Sequence, residues 1–510
     1  MRASGILMPI SSLPSPYGIG TMGAAARSFV DFLAKAGQAY WQILPICPTS
    51  YGDSPYQSFS TFAGNPYFID LDELAKQGLL LPEEYQNIDW ECTPDCINYG
   101  AMYEKRYKVL RCACDRLLKN PPAEYKRFVR NNSFWLPDYA LFMALKDAHG
   151  GACWLEWEEP LRRRDPAALE SALIRHCADV DFWQAVQYLF YNQWNKLKAY
   201  ANGKGVQVIG DLPIYVALDS VDVWSCPKEF QLDENLYPTE VAGCPPDGFS
   251  ATGQLWGNPL FDWDAMAATG YRWWVRRIRH LCSIYDLLRI DHFRGFAGYY
   301  AIPYGDKTAE HGRWRTGPGY SLFAAVKKEL GSPRIIAEDL GFLTDDVREL
   351  LAKCEYPGMK VLEFAFDSRD GGDYRPHSYP TNCVAYTGTH DNEPVQGWFA
   401  TADKTDTDRA VEYLNLTKKE GYHWGMMRGV WASTADLAVV QAQDVLGLGH
   451  ESRMNTPSTL GGNWCWRALP GAFTPALAQK LNHLMELYGR LPAEAAPEDA
   501  TQDPADSPSV

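Results

Sequence analysis

The sequence predicts an α/β protein built on a (β/α)₈ TIM barrel, with long subdomains inserted into its βα loops. Three observations point there. Four apolar runs end in carboxylates: Val206-Gln207-Val208-Ile209-Gly210 stops at Asp211, Leu287-Leu288-Arg289-Ile290 at Asp291 and Ile335-Ile336-Ala337 at Glu338. The fourth, Val384-Ala385-Tyr386, runs on through Thr387-Gly388-Thr389-His390 to Asp391. Strands buried on both faces read as such runs, and a barrel gathers their C-terminal ends on its catalytic face. The chain also opens strand, helix, strand, at 5–10, 24–36 and 41–46. Finally, strand signals centred on Ile6, Ile43, Val208, Leu288, Ile336, Val361, Val384 and Val439 supply the eight that a barrel requires.

In order along the chain, the first strand is followed by a Ser-, Pro- and Gly-rich loop at 11–23. The helix pattern at 24–36 sets Phe29, Phe32 and Leu33 on one face, and Gly37 stops it. After the second strand comes a polar aromatic loop, 49–60, which on a barrel lies over the active face and suits ligand contact. From 70 to 175 the pattern is helical and polar, too long for a βα loop, so an inserted helical subdomain is expected. Phe182, Val186, Leu189 and Phe190 mark a barrel helix leading to the third strand. Periodicity fades over 215–264, a loop-rich insertion. Within it, 243–259 has so many Gly and Pro that it reads as a shaped loop and a mobile lid carrying Phe249 or Trp256. Trp274, Ile278, Leu281 and Tyr285 restore a helix face before the central strand; Arg272, Arg276, Arg277 and Arg279 read as its solvated side. The barrel spans 1–490, and the Pro-, Ala-, Glu- and Asp-rich 491–510 reads as a disordered tail.

A formal charge of −15 over 510 residues argues against nucleic acid, whose phosphates need Lys and Arg. The 18 Trp and 29 Tyr exceed a core's needs and suit a neutral ligand with C–H faces and hydroxyls. The 13 Cys lack zinc-type spacing and read as reduced thiols. No apolar run approaches the roughly 20 residues of a membrane span. A cytoplasmic protein is expected, as a monomer or a homodimer. There is no glycine-rich nucleotide turn, Walker loop or Gly-x-Ser-x-Gly elbow, so no cofactor is expected, and without His-x-His or His-Glu-x-x-His no metal.

Arg289 and Asp291 share one face by the strand's period of two, and a guanidinium beside a carboxylate favours its ionised form. A structural ion pair at a strand end would look the same. Three strand-end carboxylates without a cofactor, however, fit glycosyl chemistry, which needs a proton for the leaving oxygen and negative charge near an oxocarbenium ion. Asp291 suits the nucleophile, Glu338 the acid if its surroundings raise its pKa, and Asp391 can hold sugar hydroxyls while adding charge.

The stretches Ser54-Pro55-Tyr56-Gln57, Pro245-Pro246-Asp247, Asn258-Pro259, Arg289-Ile290-Asp291-His292-Phe293-Arg294-Gly295, Ala337-Glu338-Asp339-Leu340-Gly341, Thr389-His390-Asp391-Asn392 and Gly462-Asn463-Trp464 occur in the order of a known family. Together they resemble the 4-α-glucanotransferases (amylomaltases, disproportionating enzymes) of glycoside hydrolase family 77. The resemblance implies a barrel with no C-terminal β-sandwich, with Asp291 as nucleophile, Glu338 as acid/base and Asp391 as transition-state stabiliser. Arg289, His292 and His390 would bind the sugar at the cleavage point with Asp211 nearby, and Tyr56 and Trp256 would stack on glucose units. Asp247 and Asn463 would be further contacts. It also implies segment transfer from α-1,4-glucan donors to the 4-hydroxyl of glucose or maltooligosaccharide acceptors. An α-amylase-like hydrolase and a non-catalytic glucan-binding protein are the alternatives.

Overall fold

The computed structural model describes residues 2–50, 52–246, 250–341, 343–369 and 374–492. Twelve strands occur among them: β1 (Ala3–Leu7), β2 (Tyr40–Gln42), β3 (Gln207–Leu212), β4 (Glu240–Cys244), β5 (Gln254–Pro259), β6 (Leu287–Ile290), β7 (Gly298–Pro303), β8 (Arg313–Thr316), β9 (Ile335–Ala337), β10 (Gly358–Val361), β11 (Cys383–Tyr386) and β12 (Leu437–Gln441). Eight pair in parallel in the order β10-β11-β12-β1-β2-β3-β6-β9. The two ends of that sheet meet where the Ala337 amide donates to the Pro357 carbonyl at 2.9 Å, just ahead of β10. The result is the expected barrel.

Alternation along each strand sorts the side chains. Leu7, Ile209, Leu287, Ile336, Met359, Val361, Val384, Tyr386, Leu437 and Val439 form one buried cluster around the axis. Their neighbours Ile6, Trp41, Val208, Leu288, Ala337, Ala385, Ala438 and Val440 belong to a second, larger cluster shared with the helices. This is the layered interior of a packed barrel, not a pore. Each inward row continues toward the C-terminal mouth: Ile209 to Asp211, Leu287 to Arg289 and Asp291, Ile336 to Glu338. The period of two therefore decides which charged side chains reach that mouth.

Some strands are shorter than their apolar runs. β2 ends at Gln42 although apolar residues continue to Ile46, because Pro45 cannot donate to a ladder. The run after Met359 leaves the sheet at Val361 and turns into a 3₁₀ segment, Leu362–Phe366. Between β2 and β3 the chain is mainly helical, including Tyr107–Lys119, Ala123–Asn131, Leu136–Ala148 and the long Cys177–Gly203. No strand follows β12 among the described residues.

Two expectations fail. The segment 243–259 is not simply a loop: β4 and β5 pair antiparallel, and β7 and β8 extend them into a four-stranded sheet, order β5-β4-β7-β8. The partner strand β7 pairs with β4 from residues 57 to 63 positions downstream, as Gly243 with Tyr300 and Glu240 with Pro303, so local glycine and proline content hid the pairing. Arg277 does not belong to a solvated face. Its guanidinium is buried against Trp273 and Trp274 and donates to Thr61 Oγ1 at 2.6 Å, Ile214 O at 2.9 Å and Pro213 O at 2.7 Å. Three acceptors satisfy a charge that would otherwise not tolerate burial.

Candidate active site

At the top of the barrel Arg289 bridges two carboxylates. It donates to Asp211 Oδ2 at 2.6 Å and to Asp291 Oδ1 at 2.8 Å. Asp211 is buried, whereas the Asp291 side chain keeps 29% of its surface exposed. Asp211 also accepts from the Tyr56 hydroxyl at 2.8 Å. Burial pushes its carboxyl above the usual range, against the pull of Arg289.

Directly after Asp291 the backbone turns sharply. His292 sits at φ 51°, ψ 47°, a left-handed conformation uncommon for any residue but glycine and worth roughly 1–3 kcal/mol of strain. With that turn, the His292 amide donates to Glu338 Oε2 at 2.7 Å, while the Leu340 amide donates to Oε1 at 2.7 Å. Next to it the Phe293 amide donates to the Glu338 carbonyl at 3.0 Å. Glu338 is thus clamped against the residues that follow Asp291. Burial first, and the Asp291 charge second, raise its carboxyl to about 7 despite Arg289 and the two amides. A carboxyl so placed can keep its proton close to neutral pH.

Asp391 lies in the opposite state. Burial opposes its charge, but His390, with Nε2 3.4 Å from Oδ2, and Asn455, donating to Oδ1 at 2.6 Å, hold the carboxyl at about 2. Burial disfavours the charged form of His390 in turn, yet the Asp391 charge raises its pKa overall. Arg453 braces this corner, donating to the Asp391 carbonyl at 2.8 Å and to Glu393 Oε1 at 2.5 Å.

Aromatic rings make the walls. Tyr56 stacks on His390 at 4.9 Å between centroids, and Trp464 tilts against both at 5.8 and 5.9 Å. Across the cleft, Trp256 on β5 meets His292 edge-on at 4.9 Å, and burial lowers the His292 pKa to about 4. The space between holds about 280 Å³. A larger hollow of about 440 Å³ opens at the barrel's other mouth. It gathers strand starts such as Ala3, Tyr40, Leu287 and Ile335, and none of the strand-end carboxylates.

Of the residues expected from sequence, Tyr56, Asp211, Trp256, Arg289, Asp291, His292, Glu338, His390 and Asp391 line this cleft or bond directly to residues that do. Asn463 does not line it. Its amide is spent on the Thr456 N–H and on Thr459, pinning the loop that carries Asn455 and Trp464. Asp247 and Phe249 lie outside the described residues. Asn455 and Arg453 were missed; no local motif marks them, and only the convergence of loops brings them in. Among the described residues no group of three or more His, Cys, Asp or Glu is arranged to hold a metal ion.

Comparison with known proteins agrees with this geometry. Residues 8–471 match the glycoside hydrolase 77 family model, described as 4-alpha-glucanotransferase. The 4-alpha-glucanotransferase of Clostridium butyricum is 50% identical over 485 residues, covering 95% of this chain and 100% of that protein. That of Thermus thermophilus is 44% identical over 501 residues, covering 96% and 99%. The structure of the amylomaltase from Streptococcus agalactiae, in complex with acarbose, superposes with a TM-score of 0.94 at 42% identity, covering 96% of this chain and 100% of that one. The chain therefore belongs to glycoside hydrolase family 77, the 4-alpha-glucanotransferases, and its activity is transfer on α-1,4-glucans, not the hydrolysis or passive binding that the sequence left open.

Proposed function

We propose that transfer proceeds by retaining double displacement with Asp291 as nucleophile, Glu338 as acid/base and Asp391 as stabiliser of the oxocarbenium-like transition state. The observation that carries this reading is the clamp on Glu338: a carboxyl raised to about 7 is held by the amide that follows an Arg289-bound Asp291. Retaining enzymes need such a pair close together, about 5–5.5 Å apart, with opposite protonation states. Glu338 protonates the oxygen of the bond being broken as Asp291 attacks the anomeric carbon. The donor's reducing-end fragment departs, and an acceptor 4-hydroxyl then gives its proton to the Glu338 carboxylate as it displaces Asp291. Asp391, held ionised, faces the charge that develops in both steps.

Arg289, His292, His390 and Asp211 would hold the reacting glucose, with Tyr56 and Trp256 as aromatic walls. Such walls favour a sugar acceptor over water, since a bound hydroxyl arrives at high effective concentration in a site that excludes solvent. The donors on this reading are maltooligosaccharides or starch, and the acceptors glucose or maltooligosaccharides; the acarbose complex of the Streptococcus agalactiae relative supports that class of occupant. The twelve cysteines other than Cys244 form no disulfide among the described residues, which favours a reducing, cytoplasmic setting. No helix among the described residues is long and apolar enough to cross a membrane. We also treat 70–175 as an inserted helical subdomain.

The decisive experiment traps the intermediate with a slow α-glycosyl fluoride donor and maps the modified peptide by mass spectrometry. The sugar is expected on Asp291; a sugar on any other residue overturns the assignment.

A further inference from the structure

Beside the reacting carboxylates lies a second group that the transfer steps do not use. Glu363, Glu393 and Asp444 follow β10, β11 and β12, three neighbouring strands of the barrel. Two of the three are satisfied. Asp444 accepts from the Thr387 hydroxyl at 2.6 Å and the Val395 amide at 2.7 Å, while Glu393 Oε1 meets Arg453 at 2.5 Å and His450 Nδ1 at 2.9 Å. Glu363 is not. Its side chain is buried, and Oε1 has no hydrogen-bond partner among the described residues; nor has Oε1 of the buried Gln441. A buried carboxylate without a donor is too costly to persist, so Glu363 keeps its proton. Burial, then Asp444 and Glu393, push its carboxyl well above the usual range against the pull of Arg453.

This acid sits at the root of the turn that presents His390 and Asp391. The Glu363 amide donates to the Thr387 carbonyl at 3.3 Å. A β-carbon on Gly388 would stand 2.7 Å from Gln441 Nε2, 2.9 Å from Asn392 Cβ and 3.3 Å from Glu363 Oε1. The carboxyl is therefore packed against the backbone of the turn, at a position where only glycine leaves room for it. Further along, the Thr389 amide and hydroxyl both donate to Asn392 Oδ1 at 2.9 Å, and Arg453 donates to the Asp391 carbonyl at 2.8 Å. Arg453 is the shared support, since it also serves Glu393 and, at 2.8 Å, the carbonyl of Asn455.

We propose that Glu363 is a positioning residue for the reaction, whose side chain props the turn at Gly388 and leaves Arg453 to hold Asp391 in place. Glu363 does not line the cleft and acts through that turn. Ionised, it would face Asp444 and Glu393 with like charge and draw Arg453 away from the Asp391 carbonyl. Asn455, tied to Arg453 through its own carbonyl, would follow and release Asp391 Oδ1. The proposal rests on the reading above that Asp391 stabilises the transition state.

Glu363→Gln keeps the shape without the charge, so its maltotriose kcat at about pH 6 should stay within about twofold of wild type. Folded Glu363→Ala should lose about tenfold or more in kcat with KM within about threefold. The sharper readout is the first-turnover burst of fluoride from α-maltosyl fluoride, whose leaving group needs no proton from Glu338. Between about pH 7 and about pH 10 the wild-type burst should fall about threefold further than that of Glu363→Gln, because only wild type has Glu363 to ionise. Superimposable burst profiles overturn the proposal, as does a Glu363→Ala kcat within about twofold of wild type, or a Glu363→Gln as impaired as Glu363→Ala. Should Glu363→Ala not fold, the burst profiles decide alone. Asp391→Asn keeps the two failures apart. If it retains its kcat, the reading of Asp391 falls and the proposal with it; if it is inactive while the Glu363 variants match wild type, the proposal falls alone.

Discussion

Asp286 and Asp291 flank the same four-residue strand, β6, and their surroundings could hardly differ more. Asp286, at the N-terminal end, accepts from the Val208 amide and from Asn202 Nδ2, both at 2.8 Å, and pairs with Lys198 at 3.2 Å. It joins a barrel helix to two strands, and its oxygens are occupied. Asp291, at the C-terminal end, accepts from Arg289 through Oδ1 alone among the described residues and lines the cleft. A carboxylate saturated by its own fold stabilises; one held from one side only is available to react. The lesson is that the two mouths of the barrel are told apart by what the carboxylates still lack, not by how many there are.

The comparison can be broken most severely at Asp291. Asp291→Asn should lower disproportionation of maltotriose by about 10⁵-fold with an unchanged far-UV spectrum; a loss below about tenfold would make it another structural carboxylate. Glu338→Gln should cost about 10³-fold with maltotriose, whose leaving group needs a proton. With an α-maltosyl fluoride donor the first-turnover burst of fluoride should instead stay within about tenfold of wild type. The wild-type rate should fall as pH rises through about 7, because that is where Glu338 loses its proton.

A smaller effect reads the same group through stability. Glu338 has a raised pKa in the fold, so its ionisation opposes folding above the unfolded value near 4.3, increasingly so up to about 7. Glu338→Gln should therefore melt about 2 °C higher than wild type at pH 8, with little difference at pH 5. A stabilising substitution at the acid would be a mark of function held against stability. Asp286→Asn should do the reverse. Activity per folded molecule should stay within about twofold, while unfolding in denaturant should show a loss of about 1–3 kcal/mol.

The barrel was legible because its rule is local. An apolar run that stops at a carboxylate can be recognised within ten residues, and four of them among eight strand signals leave few other architectures. Asp291, Glu338 and Asp391 were found for the same reason: each follows its strand directly, or by a short Thr-Gly-Thr-His step. What escaped depends on distant partners. β4 and β5 are strands because β7 comes to lie beside β4, and Arg277 is buried because three acceptors from two other loops surround it. Asn455 reaches Asp391 from a loop 64 residues further on with no motif around it. Pattern reading sees the strand and its last residue; it does not see which loops will bend over them.

The inward row on β6 has a consequence for how this molecule tolerates change. Leu287, Arg289 and Asp291 alternate with Leu288 and Ile290, so losing or gaining a single residue inside the strand would turn Ile290 toward sugar and Asp291 into grease. Point substitutions along β6 leave that arrangement standing. A one-codon slip would reverse the whole row, where an exchange of letters alters one position.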